Sequence, residues 1–354
     1  MTQHRQDFDL NDLNRPGALI AALPAVLGFV PEKSLVLVSV DDGALGSVMR
    51  ADLSGALTER VGQLADVAAA AGPEAVILVI VDADGAACPV CAEEYRHLSA
   101  ALSQELSRRD IVLWAAHVVD QVAAGGSWRC VDGCGAGGAV DDPSASPLAL
   151  AAVLDGRRLY GRRVDLQAVI APDQTASSKL AATLDHHASS RAAAHRADPV
   201  GCGRRDVENA LAAAARVAAG QQLPDSELAA LGCALSDVAV RDTLCALAVG
   251  DSAAAAESLW ALLSRRLPEP WRVEALVLLA FSAYARGDGP LAGVSLEAAL
   301  RSEPGHRMAG MLDTALQSGL RPEHIRQLAV TGYRMAKRLG VRLPPRAASG
   351  RRAG

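Results

Sequence analysis

The sequence predicts an α/β protein in two parts, an N-terminal three-layer domain on a mixed sheet and an all-α domain of tetratricopeptide-like helical hairpins. Three observations support this. Residues Ala75–Val81 are continuously apolar, as in a strand covered on both faces. Strands and helices alternate up to residue 119, and beyond Pro172 nearly every segment has a helical pattern. We therefore predict an α/β domain at 1–172, a helical domain at 173–340 and a basic disordered tail at 341–354.

The first predicted elements are a short helix and a β-hairpin. Pro16 stands where a first-turn proline is favoured, and the apolar run after it ends near Gly28. Residues 34–40 are apolar and β-branched, residues 41–43 read Asp-Asp-Gly, and residues 45–53 return as a second strand.

A strand–helix alternation follows the hairpin. Thr58 is a candidate cap for a helix that ends at Gly72-Pro73, before the apolar strand. A helix over 92–108 then leads into a strand over 111–119. Two strand–helix units in succession indicate crossover connections with helices packed on the sheet.

The segment that closes the α/β domain is less regular. Residues 123–147 are rich in Gly, Asp, Ser and Pro, which predicts an irregular loop. Regular structure is expected to resume at Pro147, and residues 165–171 are a candidate strand or extended piece.

The helical domain has seven predicted helices, at 207–219, 226–249, 252–266, 271–286, 289–302, 305–318 and 322–339. The last four have the spacing of stacked antiparallel hairpins, with turns at Gly287-Asp288-Gly289 and Glu303-Pro304-Gly305. That spacing is about that of a tetratricopeptide-type unit, although its signature residues are not repeated.

Composition limits the partners and the compartment. With 35 basic and 40 acidic residues, net −5, the chain has no overall positive field to attract nucleic acid. The tail, with Arg342, Arg346, Arg351 and Arg352 and no acid, is the one place where such contact is considered, and a solvated tail is the alternative. The polar N-terminus lacks a signal-peptide core, and no apolar run reaches membrane-spanning length. We expect a cytoplasmic protein without a membrane partner.

Several strings resemble one family. They are LGFVPEKSLVLVSV at 27–40, RADL at 50–53, SWRC at 127–130, VRD at 240–242 and PWRVEALVLLAFSAYARGDGPLAGVSLEAALRSEPGHRMAGMLDTALQSGL at 270–320. In this order they resemble the actinobacterial DUF4192 family, a domain of unknown function, over about residues 13–328. The resemblance implies fold and compartment, and it implies no catalytic residue.

Four cysteines suggest a metal site. Seven cysteines without an export signal argue against a disulfide framework. Cys88 and Cys91 follow the apolar strand and open the next helix, whereas Cys130 and Cys134 lie in the loop after the following strand. If the two strands are neighbours, four thiolates meet at one edge and suit tetrahedral zinc. Ordinary free thiols are the alternative, and a redox pair of Cys88 and Cys91 is a third hypothesis. The resemblance also implies a proline after the second cysteine of the loop, where this chain has Gly135.

Polar residues at the strand ends form a candidate ligand pocket. Asp82 and Asp84 directly follow the apolar strand, at the edge where open α/β sheets bind ligands. Arg50 and Asp52 belong to the family-like RADL string. The alternative is that the aspartates cap a turn and that Arg50 and Asp52 form an ion pair.

A second group of candidates lies in the helical domain. Trp and Arg are effective binding anchors, so residues within the family-like strings are expected to line a concave partner surface. They are Arg241, Asp242, Trp271, Arg272 and Asp288. The alternative is structural, with Trp packed between hairpins and Arg–Asp pairs joining helices.

These observations favour a binding protein over an enzyme. The chain lacks the Gly-x-Ser-x-Gly, phosphate-loop and His-Glu-x-x-His motifs. We predict a non-catalytic binding or scaffolding protein that engages another protein through its repeat-like helical surface. The alternative is an enzyme of unknown type, with or without zinc, that uses a polar pocket at the strand ends. Whether the chain forms a homo-oligomer stays open.

Overall fold

The computed structural model describes residues 14–70, 72–154 and 157–345, with only the backbone of Ala56. A six-stranded mixed sheet in the N-terminal part precedes a largely helical C-terminal region, which confirms the predicted fold class. The chain divides into two compact units. The first ends at Leu166 and also takes in Gln317–Gly319, and the second comprises Gln167–Leu316 with the residues from Leu320 onward.

The first unit, here called the α/β unit, contains the sheet and the helices around it. Its regular elements are α1 (Pro16–Leu27), β1 (Ser34–Asp41), β2 (Ala44–Asp52), α2 (Val61–Ala69), β3 (Ala75–Val81), α3 (Pro89–Ser107), β4 (Val112–Val119), β5 (Ser127–Cys130), β6 (Gly137–Ala139) and α4 (Pro147–Leu154). The predicted hairpin, the helix after it and the next strand–helix–strand succession are confirmed.

The sheet has the strand order β2-β1-β3-β4-β5-β6. β1 runs antiparallel to both neighbours, β3 and β4 are parallel, and β5 and β6 each return antiparallel. Ser34, at the start of β1, therefore lies opposite Asp52 at the end of β2 and Val81 at the end of β3. We call this end of the sheet the rim, where β1 begins and β2 and β3 end.

The core of the α/β unit lies on both faces of β3. On one face, Leu78 and Ile80 pack with apolar residues of α2 and α3, such as Val61 and Leu102. On the other face, Val79 is also fully buried. Because neither face of β3 meets water, its sequence lacks the alternation of a half-exposed strand, as predicted.

Two local predictions between residues 123 and 171 were wrong. Residues 123–147 are not wholly irregular, since β5 and β6 form a short hairpin within them. Residues 165–171 do not form a strand; a short helix α5 (Arg163–Gln167) occupies the start of this stretch. The Asp165 carboxylate accepts the Arg162 N–H at 3.0 Å, which stabilises the first turn of this helix.

The second unit, here called the helical unit, consists of α6 (Gln174–Ala197), α7 (Pro199–Ala218), α8 (Asp225–Leu235), α9 (Val238–Leu244), α10 (Ala253–Arg266), α11 (Arg272–Arg286), α12 (Gly289–Ser302), α13 (Arg307–Gln317) and α14 (Pro322–Leu339). Helix α11 is the most buried and packs against α10 and α12. The single helix predicted at 226–249 is broken, because the Asp237 carboxylate accepts the Ala239 N–H and starts α9.

The chain ends lie mostly outside the described residues. The polar N-terminus, residues 1–13, and the tail from residue 346 onward are not among them. Within the described residues, no helix combines the length and apolar character needed to span a membrane.

Candidate functional site

Arg50 and Asp52 are paired at the rim. The Arg50 side chain is largely buried, and its guanidinium lies 2.6 Å from the Asp52 carboxylate. Its Nε also donates to the Ser34 hydroxyl at 2.8 Å. Arg50 therefore joins the end of β2 to the start of β1. Arg50 and Asp52 thus form the ion pair that was the alternative to a ligand pocket.

Asp82 is a buried carboxylate at the end of β3. Its Oδ2 accepts the Tyr95 hydroxyl at 2.6 Å, and its Oδ1 accepts the Asp84 N–H at 3.2 Å. Burial and the Asp82 carboxylate raise the pKa of Tyr95 far above its usual value. A side chain at Gly85 would collide with the Tyr95 hydroxyl, so the turn needs glycine there.

Asp84 points outward from the same turn. Its exposed carboxylate lies 3.6 Å from the Lys33 ammonium, which is also exposed. The rim thus brings together all four sequence-predicted ligand residues, and each has a partner within the chain.

Cys88 and Cys91 open helix α3. Cys88 is the N-cap residue of the helix, and its interactions with Cys91 and with the Val90 backbone lower the pKa of its thiol. The pKa of Cys91 is raised in turn, first by its hydrogen bond to Cys88. This is the usual environment of a helix N-terminal thiol, which favours the thiolate of the first cysteine.

A second cluster lies on the β5–β6 hairpin. The ligand atoms of Cys130, Asp132 and Cys134 are all within 4.8 Å of one another. The Asp132 carboxylate accepts the Cys134 N–H at 2.9 Å. His117 on β4 pairs with Cys130, and its Nδ1 lies 3.9 Å from the Cys130 sulfur. Two side chains that the sequence analysis did not single out, His117 and Asp132, therefore join two that it did.

Burial and hydrogen bonds shift the pKa values in this cluster. Burial, assisted by the Cys134 thiol, raises the pKa of Cys130 to about 11. Hydrogen bonds from the Cys134 amide and thiol lower the pKa of Asp132. Burial lowers the pKa of His117, which favours the neutral imidazole.

The two cysteine pairs lie on opposite faces of the sheet. Paired residues of neighbouring strands share a face, and adjacent residues of one strand alternate. Ala116 packs against the α2–α3 core, so His117 and its partner Cys130 face away from that core. Cys91 packs against the α2–α3 core itself.

The structure therefore does not bring Cys88 and Cys91 together with Cys130 and Cys134. The expectation of one shared carboxyl edge is corrected, because β5 runs antiparallel to β4. The hairpin after Cys130 consequently extends away from the carboxyl end of β4. Among the described residues, the cluster that could hold a metal ion is Cys130, Asp132 and Cys134.

Arg241 and Asp242 are tied to one another inside the helical unit. The buried Arg241 guanidinium lies 2.8 Å from Asp242 and 3.1 Å from Glu274. His306 also contacts Glu274, at 3.3 Å. Although burial opposes it, the contacts with His306 and Arg241 hold the pKa of Glu274 below its usual range.

Arg272 and Asp288 are also buried. Arg272 donates to the Ile170 carbonyl at 2.6 Å and to the Ser264 carbonyl at 2.9 Å, and burial lowers its pKa. Asp288 caps α12 by accepting the Leu291 N–H at 3.1 Å.

Trp271, at the start of α11, is half-buried. The predicted partner-binding set, Arg241, Asp242, Trp271, Arg272 and Asp288, is thus turned largely toward other parts of the helical unit. It does not form one exposed surface.

A groove lies elsewhere in the helical unit. It encloses about 420 Å³ between α7 and α10, with Leu211, Ala214 and Leu247 among its walls. The segment 342–345, Arg-Leu-Pro-Pro, forms another wall. Apart from Ser252 and Arg342, its lining side chains are all apolar.

Fold and sites together define a two-unit protein, a mixed α/β sheet followed by a helical unit with an apolar groove. The chain belongs to the family described as a domain of unknown function (DUF4192), whose model matches residues 16–323. The resemblance seen in the sequence strings is thereby confirmed. No curated protein and no solved structure matches the chain significantly.

Proposed function

We propose that the chain is a non-catalytic binding protein whose helical unit takes an extended apolar segment of another protein. The observation that carries this proposal is the groove of about 420 Å³ between α7 and α10. Binding sites of this size are typically concave and apolar with few polar groups. The groove meets that description, whereas the polar residues at the rim are engaged in pairs.

The chain itself supplies an example of a proline-containing segment that packs at this groove. Residues 342–345, which belong to neither a helix nor a strand, line the groove with Leu343 and two prolines. The Tyr333 hydroxyl lies 3.2 Å from the Pro344 carbonyl. Proline-containing segments suit apolar grooves because they are already extended and lose little entropy on binding. The proposed partner segment is therefore apolar, extended and rich in proline.

The groove can be tested from its exposed side. Ala215 on α7 lines it and is itself exposed, so Ala215→Trp would fill the groove without disturbing the core. Ala212, also exposed on α7 but outside the groove, gives the matched control Ala212→Trp. The probes are fluorescein-labelled peptides with Leu-Pro-Pro centres, and anisotropy is measured with the full chain.

We expect saturable binding that Ala215→Trp weakens at least tenfold, roughly 1.4 kcal/mol, and that Ala212→Trp leaves unchanged. If none of the peptides binds, or if both variants bind them as the wild type does, the proposal is wrong.

An enzyme with its site at the rim is the second candidate. One observation favours it: the buried Asp82 carboxylate, with its hydroxyl partner Tyr95, lies at the end of β3, near the exposed Lys33–Asp84 pair. Open α/β sheets bind ligands at such positions. The test is a thermal-shift screen of small metabolites. An enzyme with its site at the rim requires a ligand that raises the Tm of the wild type and does not raise the Tm of the Asp84→Ala variant.

A further inference from the structure

We propose that His117, Cys130 and Cys134, with Asp132, form a mononuclear zinc site on the β5–β6 hairpin. The site differs from the four-cysteine arrangement expected from sequence, because it excludes Cys88 and Cys91. It is also independent of the peptide groove in the helical unit.

The sheet register fixes the first half of the site. Cys130 and His117 are direct partners on adjacent antiparallel strands, so their side chains share one face at close range. The Cys130 sulfur and the His117 Nδ1 are 3.9 Å apart. Zinc bonded to both atoms at its usual distances holds them about 3.6 Å apart, so only a few tenths of an ångström must change.

The hairpin turn supplies the second half. Asp132 and Cys134 extend from a turn in which Gly133 and Gly135 both have positive φ, 76° and 84°. This backbone curls the turn so that the ligand atoms of Cys130, Asp132 and Cys134 come within 4.8 Å of one another. The hydrogen bond from the Cys134 amide to the Asp132 carboxylate restrains the same turn.

The donor chemistry favours zinc. Two thiolates and an imidazole are ligands that zinc prefers, and a carboxylate can complete a tetrahedron. Against one divalent cation, two thiolates and one carboxylate leave a net charge of −1, which is less than the charge of a four-thiolate site. Asp132 and Cys134 are exposed, so a cation reaches the site from solvent, whereas buried His117 provides a fixed anchor.

The burial of His117 also gains an explanation. It is an interior histidine whose ring edge meets Trp128 at a centroid distance of 5.2 Å. With Trp128 packed at an angle to the ring, the imidazole is held in an orientation that presents Nδ1 to Cys130. Fixed ring orientation is a general feature of histidines that bind metals.

The test is metal content and cobalt binding of the full chain. Protein is purified with a reductant and without a chelator, and its zinc is measured by atomic emission. The zinc-free protein is then titrated with Co²⁺, whose visible bands report tetrahedral geometry and whose near-ultraviolet band reports thiolate ligands. The variants are Cys134→Ser, at an exposed position, and Cys88→Ser as the matched cysteine control on the other face.

We expect one zinc per chain and a tetrahedral cobalt spectrum with thiolate charge transfer. Cys134→Ser should weaken zinc binding by more than the roughly 10- to 100-fold that loss of an outer-shell partner costs. Cys88→Ser should bind as the wild type does.

Two results overturn the proposal. One is a reduced wild-type chain that neither retains zinc nor gives the cobalt bands. The other is a site that Cys134→Ser leaves intact or that Cys88→Ser abolishes, since either would assign the metal to other ligands. If His117→Ala fails to fold, the wild-type cobalt spectrum still decides whether a tetrahedral thiolate site exists.

Discussion

Replacing Arg272 tests whether this residue stabilises the helical unit or serves a partner. Its guanidinium donates to two backbone carbonyls, those of Ile170 and Ser264, at 2.6 and 2.9 Å. Arg272→Met retains the apolar stem and removes every donor. Both carbonyls then lose a charged hydrogen-bond donor, and the Ile170 carbonyl precedes α6 by only a few residues.

The expected loss of stability follows from those two bonds. A hydrogen bond from a charged donor contributes about 1.5–3 kcal/mol, so two of them give about 3–6 kcal/mol. The cost of burying the guanidinium offsets part of this, and we expect a loss of about 2–5 kcal/mol. Arg272→Lys retains a charge and can reach one carbonyl at a time, so we expect about half that loss.

The assay is urea unfolding of the full chain, followed by helical circular dichroism. The matched control is Arg301→Ala, whose exposed guanidinium contacts Glu297 on the same helix and should change stability by less than about 0.5 kcal/mol. If Arg272→Met unfolds at the same urea concentration as the control, the buried hydrogen bonds do not have the role assigned to them. A variant that unfolds normally but loses peptide binding would return Arg272 to a partner surface.

Three further outcomes are expected. Tyr95→Phe leaves the buried Asp82 carboxylate without its hydroxyl partner and should cost about 1–3 kcal/mol in urea unfolding, with wild-type stability contradicting the role of the pair. Glu274→Gln should reduce the loss of stability on acidification. The contacts with His306 and Arg241 lower the pKa of Glu274, so its carboxylate stabilises the fold above about pH 4.5, and that contribution disappears as the carboxylate is protonated. If the free energy of unfolding falls with pH equally in variant and wild type, this role is refuted. Asp288→Ala removes the buried cap of α12 and should cost about 1–2 kcal/mol, seen as a lower Tm; an unchanged Tm would contradict the capping contact.

The elements that the sequence predicts best are those whose residue pattern depends only on local burial or turn chemistry. β3 is apolar throughout because both of its faces are covered, and the hairpin between β1 and β2 is marked by Asp41-Asp42-Gly43. In contrast, β5 is only four residues long and β6 three, too short for a period to be visible. β5 forms by pairing with the edge of β4, and β6 by pairing with β5, and local sequence encodes neither pairing.

Only part of the candidate site could be predicted, because the rest depends on the same strand pairing. Cys130 and Cys134 are conspicuous in the sequence, but His117 sits inside an apolar strand and becomes relevant only through the register of β4 against β5. From the sequence alone, in which the direction of β5 is not visible, Cys88 and Cys91 are expected to lie as close to Cys130 as Cys134 does. The direction of β5 decides which end of β4 the Cys130 and Cys134 thiols approach, and its register decides which face of the sheet Cys130 occupies.

The two outer strands of the sheet differ in length, and this has a consequence for association. β6 has three residues, two of them glycine, whereas β2 has nine. A backbone that is short and rich in glycine is a poor template for another strand, while a long outer strand offers a row of amide and carbonyl groups. Among the strands that the structure describes, β2 is therefore the outer strand to which an incoming strand would add more readily.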